Sequence, residues 1–291
     1  MSGLGNLYRA KRNPPKDGRP SFSGRIVIVT GSSSGVGYEA AVKFVALGAE
    51  KVVLAVRSIA KGERAKACIE KRTGRRGIAE VWHLDMLDYD SIKAFAARVD
   101  KELKTVDVAI LNAGVMQALD ERSRYGWEKT MQVNVISTAL LGLLLLPKMK
   151  ASKSLDHVPV LELVGSSLHT RITRLNSPEG SGPLGWYSDH FSRAQYGISK
   201  LFMEHVNIGL AEAAKSGTSQ RPEVYVLSVS PGLCSSDLGR AFYRWYLAPG
   251  VWAFQALFQR SCEEGARMYI SGTQVGEEGH GRFWHEGQIR E

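Results

Sequence analysis

Cysteine is scarce in this 291-residue chain: Cys68, Cys234 and Cys262 are odd in number and widely spaced, so neither a disulfide framework nor metal-ligand spacing can be drawn from them. A reducing compartment, the cytoplasm, is the expectation. Long apolar runs are missing as well. The longest, Ala139 to Leu146 (ALLGLLLL), falls far short of the roughly 20 residues a bilayer span needs and reads as a buried helix. Residues 1–20 lack the apolar core of a secretory signal. Nor is there a chain-wide excess of one charge. The net +9 comes from 38 Lys and Arg against 29 Asp and Glu, and more than half of it falls in the first 25 residues, where Arg9, Lys11, Arg12, Lys16, Arg19 and Arg25 face Asp17 alone. The body is only mildly basic, which speaks against a nucleic-acid surface. Ordinary composition, 44% apolar and 23% charged, excludes wholesale disorder.

Residues 1–22 are rich in Pro, Gly and charge without periodicity, and are expected to be a basic, flexible tail. From residue 23 to 291 no linker or repeat interrupts the pattern. Short β-branched runs at Arg25–Thr30, Lys51–Val56, Ala79–Leu84, Val106–Leu111, Pro159–Val164 and Val224–Ser230 predict buried strands. Between them, helical spacing predicts a helix after GSSSGVG with Gly48 as its C-cap, then Lys61–Arg72, Tyr89–Leu103, Trp127–Lys150 ended by Pro147, Gln195–Lys215 and Cys262–Ser271. A short closing segment follows at Gly281–Trp284. Strands alternating with helices imply a single α/β domain, a Rossmann-type doubly wound parallel sheet with helices on both faces.

Thr30-Gly31-Ser32-Ser33-Ser34-Gly35-Val36-Gly37 joins the first strand to the first helix. Glycines at such a turn let backbone N–H groups approach an anion at the positive end of the helix. The spacing differs from the commoner Gly-x-Gly-x2-Gly dinucleotide pattern. About 20 residues on, an NAD site wants a carboxylate for the ribose 2′-hydroxyl. The sequence there reads Ala55-Val56-Arg57-Ser58, with no Asp or Glu. Arg57 would pair with a 2′-phosphate instead, which favours NADP(H); as an alternative it is an exposed strand-end charge. Asp85 fits either an adenine contact or a helix cap. Asn112-Ala113-Gly114 puts small residues at the end of the fourth strand.

Tyr196 and Lys200 stand one helical turn apart on one face. A phenol near pKa 10 is a poor acid–base group at neutral pH, and a neighbouring ammonium lowers it. Ser166 and Ser167 end the fifth strand, at the sheet edge where open α/β folds bind ligands, and a hydroxyl there can donate to a carbonyl gaining negative charge. Pro231-Gly232 ends the sixth strand at the same edge, followed by Ser235-Ser236. Asn134 sits mid-helix in an apolar stretch, where its amide must be satisfied; a purely structural Asn is the alternative.

Each of these elements is weak alone, but their order and placement resemble the short-chain dehydrogenase/reductase family, nearest its retinol-dehydrogenase-like and carbonyl-reductase-like branches, over about Ser23 to Gly281. The resemblance implies that Tyr196 is the acid in reduction and the base in oxidation. It implies that Lys200 depresses the pKa of Tyr196 and bonds the nicotinamide ribose. Ser167, ahead of Ser166, is expected to orient the carbonyl, and Asn134 to hold a water linking Lys200 to solvent. Gly31, Gly35 and Gly37 would cradle phosphates, with Ser33, Ser34 and Val36 beside them. Asp85 and Met86 would meet adenine, and Asn112, Ala113 and Gly114 would line the adenosine side. Pro231, Gly232 and Ser236 would face the nicotinamide, Ser236 standing where a threonine is usual. Ser34 replaces a basic residue found in many NADP-preferring members, which leaves Arg57 with less help.

Residues 168–195 separate Ser167 from Tyr196 by more than twice the family's shortest spacing, and this insertion is expected to wall the substrate mouth. Its Trp186, Tyr187 and Phe191, with Tyr243, Trp245, Tyr246, Val251, Trp252, Phe254, Leu257 and Phe258 of a lid at 237–262, suit a bulky apolar or aromatic carbonyl or alcohol. Arg240 and Arg244 read as a solvated face rather than a carboxylate site. The resemblance implies a homodimer through the two long helices. Two rival readings remain: a pocket that also cyclises or isomerises its substrate, and a catalytically silent NADP(H)-binding sensor. No metal and no transmembrane segment are expected, and membrane contact by the lid is disfavoured.

Overall fold

A computed structural model describes residues 3–175, 182–236, 238–239 and 254–290. β1 (Ile26–Thr30) leads into helix α2 (Gly35–Ala46), preceded by α1 (Gly3–Arg12). Then come β2 (Lys51–Val56), α3 (Ile59–Thr73), β3 (Ala79–His83), α4 (Tyr89–Glu102) and β4 (Val108–Leu111). A long helix, α5 (Lys129–Ala151), precedes β5 (Val160–Val164). α6 (Pro183–Asp189), α7 (Gln195–Ala213), β6 (Tyr225–Ser230), α8 (Cys262–Gly272), β7 (Phe283–His285) and β8 (Gln288–Arg290) complete the chain.

The strands form one sheet in the order β3-β2-β1-β4-β5-β6-β7-β8, parallel except for β8, which returns antiparallel beside β7. β1 shows why it lies in the middle. Ile26 and Ile28 pack on one face with α4, α5 and α7, while Val27 and Val29 pack on the other with α2 and α8. A strand apolar on both faces has to be covered twice. Because β2 and β4 flank β1 and the chain winds away on both sides, the carboxyl ends of β1 and β4 diverge into a crevice. At the opposite end, buried Asp107 accepts from the Ile26 N–H at 2.8 Å and from Arg25 at 3.1 Å, which fixes the entry of β1.

Three expectations change. Residues 3–12, read as part of a tail, are helical, and the segment after them is tied to the domain: Arg267 donates to the Pro15 carbonyl at 3.1 Å, and Lys43 pairs with Asp17 at 2.6 Å. The partners lie more than 200 residues away or on another helix, so local composition carried no trace of them. Pro147 does not end α5, which continues to Ala151. The carbonyl a proline deprives of its donor belongs to Leu143, which is 53% exposed and can be hydrated. Earlier in the same helix, Gln132–Ser137 opens into a π turn around Asn134. By length and hydropathy α5 could cross a membrane, but 67% of its most apolar window is buried inside this fold.

Candidate active site

The cleft at the carboxyl edge of the sheet encloses about 2730 Å³ and gathers residues from every element the sequence pointed to. At its centre the turn after β1 is built for close approach. Gly31 and Gly35 have φ of +65° and +64°, where L side chains are strained. A Cβ on Gly37 would come within 2.4 Å of Asn112 Nδ2 and 2.9 Å of the Gly31 carbonyl. The start of α2 therefore sits directly on the end of β4, with Ser34 as its N-cap and no side chain satisfying the first N–H groups. Asn112 is the strut: its Nδ2 donates to the Thr30 carbonyl at 2.9 Å, and its Oδ1 accepts from the Tyr269 hydroxyl at 2.9 Å. Ala113 N–H donates to Thr30 Oγ1 at 2.8 Å. Ser33, Ser34, Val36, Ala113 and Gly114 line the same cleft.

At one end lies Arg57, exposed at the tip of β2, together with Lys61 and Arg64 on the first turns of α3. Among the described residues none of the three is paired with a carboxylate. Arg57 alone was expected here; Lys61 and Arg64 join it because α3 begins at Ile59, two residues past Arg57. Asp85 and Met86 border this end. The cap of α4 is Asp88, whose Oδ1 accepts from Asp90 N–H at 3.0 Å, so Asp85 is not the helix cap; its Oδ1 shapes the turn by accepting from Leu87 N–H at 2.9 Å. An anionic dinucleotide fits these features: a glycine cradle a Cβ would fill, an uncapped helix N-terminus and a group of free cations.

At the other end, the residues singled out for chemistry meet, with one substitution of partner. Tyr196 is positioned by the residue before it. Gln195 is buried and donates to Glu128 Oε2 at 3.0 Å and to the Tyr187 carbonyl at 2.9 Å, while Glu128 caps the start of α5. The serine hydroxyl that acts on the Tyr196 phenol, drawing its pKa down, is that of Ser166 rather than Ser167. Ser167 is exposed and begins a 3-10 turn (Ser167–Arg171), its carbonyl accepting from Thr170 Oγ1. Both serines line the cleft, and the local geometry favours Ser166 over Ser167. Extended backbone at Ser166 (φ −158°) continues the line of β5 before the 3-10 turn begins at Ser167.

Lys200, 5% exposed, donates to the Val164 carbonyl at 2.6 Å, and its Nζ lies 5.6 Å from the Tyr196 ring centre. Burial brings Lys200 down to about 8, against the pull of the Glu204 carboxylate. Burial pushes Tyr196 up to about 12, and the Ser166 hydroxyl draws it only partly back. In the chain by itself, then, Lys200 does not bring the phenol toward neutrality. Glu204, one turn beyond Lys200, escaped the sequence reading although its i+4 spacing was visible. Its Oε2 accepts from Ser228 Oγ at 2.6 Å, and its Oε1 lies 3.8 Å from His169 Nδ1. Asn134 clamps the segment after β4: Oδ1 accepts from Val115 N–H, and Nδ2 donates to the Val115 carbonyl, both at 2.9 Å, and to Ser199 Oγ at 3.0 Å. Its amide is satisfied within the fold.

Pro231, Gly232 and Ser236 form the far lip. Gly232 has φ +78°, and Ser236 lies against Gly35, whose Cβ would meet it at 3.5 Å. In the insertion, Leu168, His169, Thr170 and Arg171 line the cleft. Trp186 and Tyr187 do not: Tyr187 is buried against Met131 and Ile198, and Trp186 stacks on His190. They anchor the insertion to α5 and α7, a correction to their assignment as pocket wall; Phe191 is not among the lining residues either. Of the lid, Phe254 lines the cleft and packs on Phe258, ring centres 5.1 Å apart, while Leu257 is 51% exposed. Tyr243, Trp245, Tyr246, Val251 and Trp252, with Arg240 and Arg244, lie outside the described residues.

Comparison with known proteins settles the family. Residues 25–157 match the family model for short chain dehydrogenase. The short-chain dehydrogenase/reductase ffsI of Aspergillus flavipes is 39% identical over 99% of this chain and 84% of its own length, and phmF of Phaeosphaeria nodorum is 39% identical over 94% and 81%. The chain belongs to the short-chain dehydrogenase/reductase family. Among solved structures, a short-chain dehydrogenase from Shigella flexneri complexed with NADP is 26% identical over 77% of this chain and 84% of its own, with a TM-score of 0.58. The RhlG/NADP complex of Pseudomonas aeruginosa, 22% identical over 92% of this chain and 96% of its own, shares the fold at a TM-score of 0.66.

The two serines separate cleanly by substitution. Ser166→Ala should lower kcat by about 10²–10³-fold, as loss of a donor to a developing charge does, whereas Ser167→Ala should stay within about threefold of the parent. Steady-state rates on one ketone decide it, and the reverse ranking would return the role to Ser167.

Proposed function

We propose that this short-chain dehydrogenase/reductase is an NADP(H)-dependent carbonyl reductase or alcohol dehydrogenase acting on a bulky, largely apolar or aromatic small molecule. The observation that carries the reading is the convergence of Tyr196, Ser166 and Lys200 on the edge of the same cleft that holds the glycine turn. Gly31, Gly35 and Gly37 with the start of α2 would hold the pyrophosphate, and Arg57 with Lys61 and Arg64 the 2′-phosphate. Asp85, Met86, Asn112, Ala113 and Gly114 would border the adenosine, and Pro231, Gly232 and Ser236 the nicotinamide. A dinucleotide held there would supply the hydride in reduction and take it up in oxidation.

The protein's own part is proton management. Tyr196, neutral at physiological pH, donates its proton to the carbonyl oxygen in reduction and, ionised, takes it from the alcohol in oxidation. Ser166 steadies the same oxygen and the phenolate that forms. Lys200, while protonated, offers positive charge to that phenolate and is the route by which its proton is restored. The proposed water between Lys200 and solvent would rest on the backbone at Asn134, since the side chain is already engaged and a π turn frees main-chain groups. Intact Tyr196, Ser166 and Lys200 favour turnover over a silent sensor. A homodimer is supported by Leu143, Leu144 and Ile208, which stand 37–60% exposed on α5 and α7. Cysteines as few and as scattered as Cys68, Cys234 and Cys262 suit the reducing cytoplasm.

Tyr196→Phe should cut turnover by about 10²–10⁴-fold while NADPH binding, followed by its fluorescence, stays within about threefold; wild-type turnover in that variant would sink the mechanism. Arg57→Asp should move cofactor preference from NADPH toward NADH, by about 10–100-fold in the ratio of kcat/KM values, as expected for losing a charged hydrogen bond. An unchanged ratio removes Arg57 from the cofactor site. The pH profile of kcat/KM for reduction should show an alkaline limb near the pKa of Lys200, about 8. Above it the ammonium is lost and the forming phenolate goes unsupported, so the rate falls as pH rises. Tyr196 cannot cause that limb, because its hydroxyl stays protonated up to about 12. A flat profile across this range would contradict the role given to Lys200.

A further inference from the structure

Arg260 is only 3% exposed, and its guanidinium is spent largely on main-chain carbonyls of the N-terminal segment. Nε and Nη2 donate to the Ala10 carbonyl at 3.0 and 2.8 Å, and Nη2 reaches the Asn13 carbonyl at 3.3 Å. Ala10 lies in the last turn of α1, where carbonyls lack helical donors and the helix dipole favours a cation. The same residue is stitched into the lip of the cleft. Arg260 N–H donates to the Leu233 carbonyl at 2.8 Å, its own carbonyl accepts from Ser235 N–H at 2.9 Å, and a Cβ on Gly232 would stand 2.8 Å from its Nη1.

Further along, Arg267 holds the Pro15 carbonyl at 3.1 Å, and Lys43 bridges Asp17 and Glu263, each at 2.6 Å. Three cations from α2 and from the chain around α8 thus fix one segment at successive points. Its course is along the cleft: Leu7, Arg9, Ala10, Asn13, Pro15 and Lys16 line the same cavity as Gly35 and Val36. This is also where the sequence concentrates its surplus positive charge.

We propose that residues 3–17 are a strap forming the outer wall of the dinucleotide site, in which Arg9 and Lys16 attract the phosphates of the cofactor and Arg260 holds the strap shut. The inference rests on the NADP(H) reading above. Exposed cations on the wall of a low-dielectric cleft raise the local concentration of a polyanion, in a salt-dependent way. The strap should therefore matter more for NADPH, which carries the additional phosphate, than for NADH.

Fluorescence titration and stopped-flow dissociation of NADPH would be compared in the full chain, in a chain lacking residues 2–16 and in the double variant Arg9→Ala/Lys16→Ala. Both alterations should weaken NADPH binding by about tenfold, a difference of 1.4 kcal/mol, with faster release and a smaller loss for NADH. The double variant should also lose part of the salt dependence of Kd. Bound NADPH should protect the full chain from trypsin at Arg9–Lys16. Should the truncated chain lose its fold by circular dichroism, the double variant decides. Equal affinity, release rate and salt dependence in the full chain and the double variant would overturn the strap alone. A full chain that binds no NADPH would overturn the cofactor reading and the strap with it.

Discussion

Removing an ammonium group from water costs several kcal/mol unless hydrogen bonds and opposite charge take the place of its hydration, and the surroundings of Lys200 are arranged around that cost. The Val164 carbonyl, at the end of β5, accepts from its Nζ at 2.6 Å. One helical turn away, Glu204 supplies negative charge, and is itself steadied by Ser228 on β6. The residue that follows β5 is glycine, and a Cβ on Gly165 would come within 2.8 Å of Glu204 Oε1 and 3.0 Å of the Phe283 ring. The residue after that, Ser166, is delivered in extended conformation to Tyr196. Of the run Val164-Gly165-Ser166, the first residue thus meets the buried charge, the second leaves room for Glu204 and the third serves Tyr196, and the crossing of α7 over β5 brings them together.

The frame of the protein was legible because it is local. Six of the strands are short apolar runs whose observed limits differ from the expected ones by at most two residues, and the glycine turn announces itself by residue type. The site was legible where identity and spacing suffice, as for Tyr196 with Lys200, or Asn112 with Ala113 and Gly114. What could not be read depends on partners far away in sequence. The choice between Ser166 and Ser167 turns on which side of a strand end a hydroxyl leaves, decided where β5 passes into a 3-10 turn. Trp186 and Tyr187 looked like pocket walls because aromatics in an insertion invite that reading, but Met131 and Ile198 offered them a better burial. β8 and the N-terminal helix were missed for the same reason: each is held by contacts that no local pattern encodes.

The insertion and the bare apolar face on the long helices divide one scaffold between them. α6 packs its aromatics near the start of α7, where Phe202 and Val206 join the cluster around Met131, Tyr187 and Ile198. Farther along the helices, Leu143 and Leu144 on α5 and Ile208 on α7 are left uncovered. Burying those three against a second copy would not require the insertion to move. Tyr196, Ser199 and Lys200 lie in the first two turns of α7, on the insertion's side of that division. Variation in the insertion can therefore reshape the mouth of the cleft through Leu168–Arg171 while the buried Lys200–Val164 bond and the far half of the helix pair stay as they are.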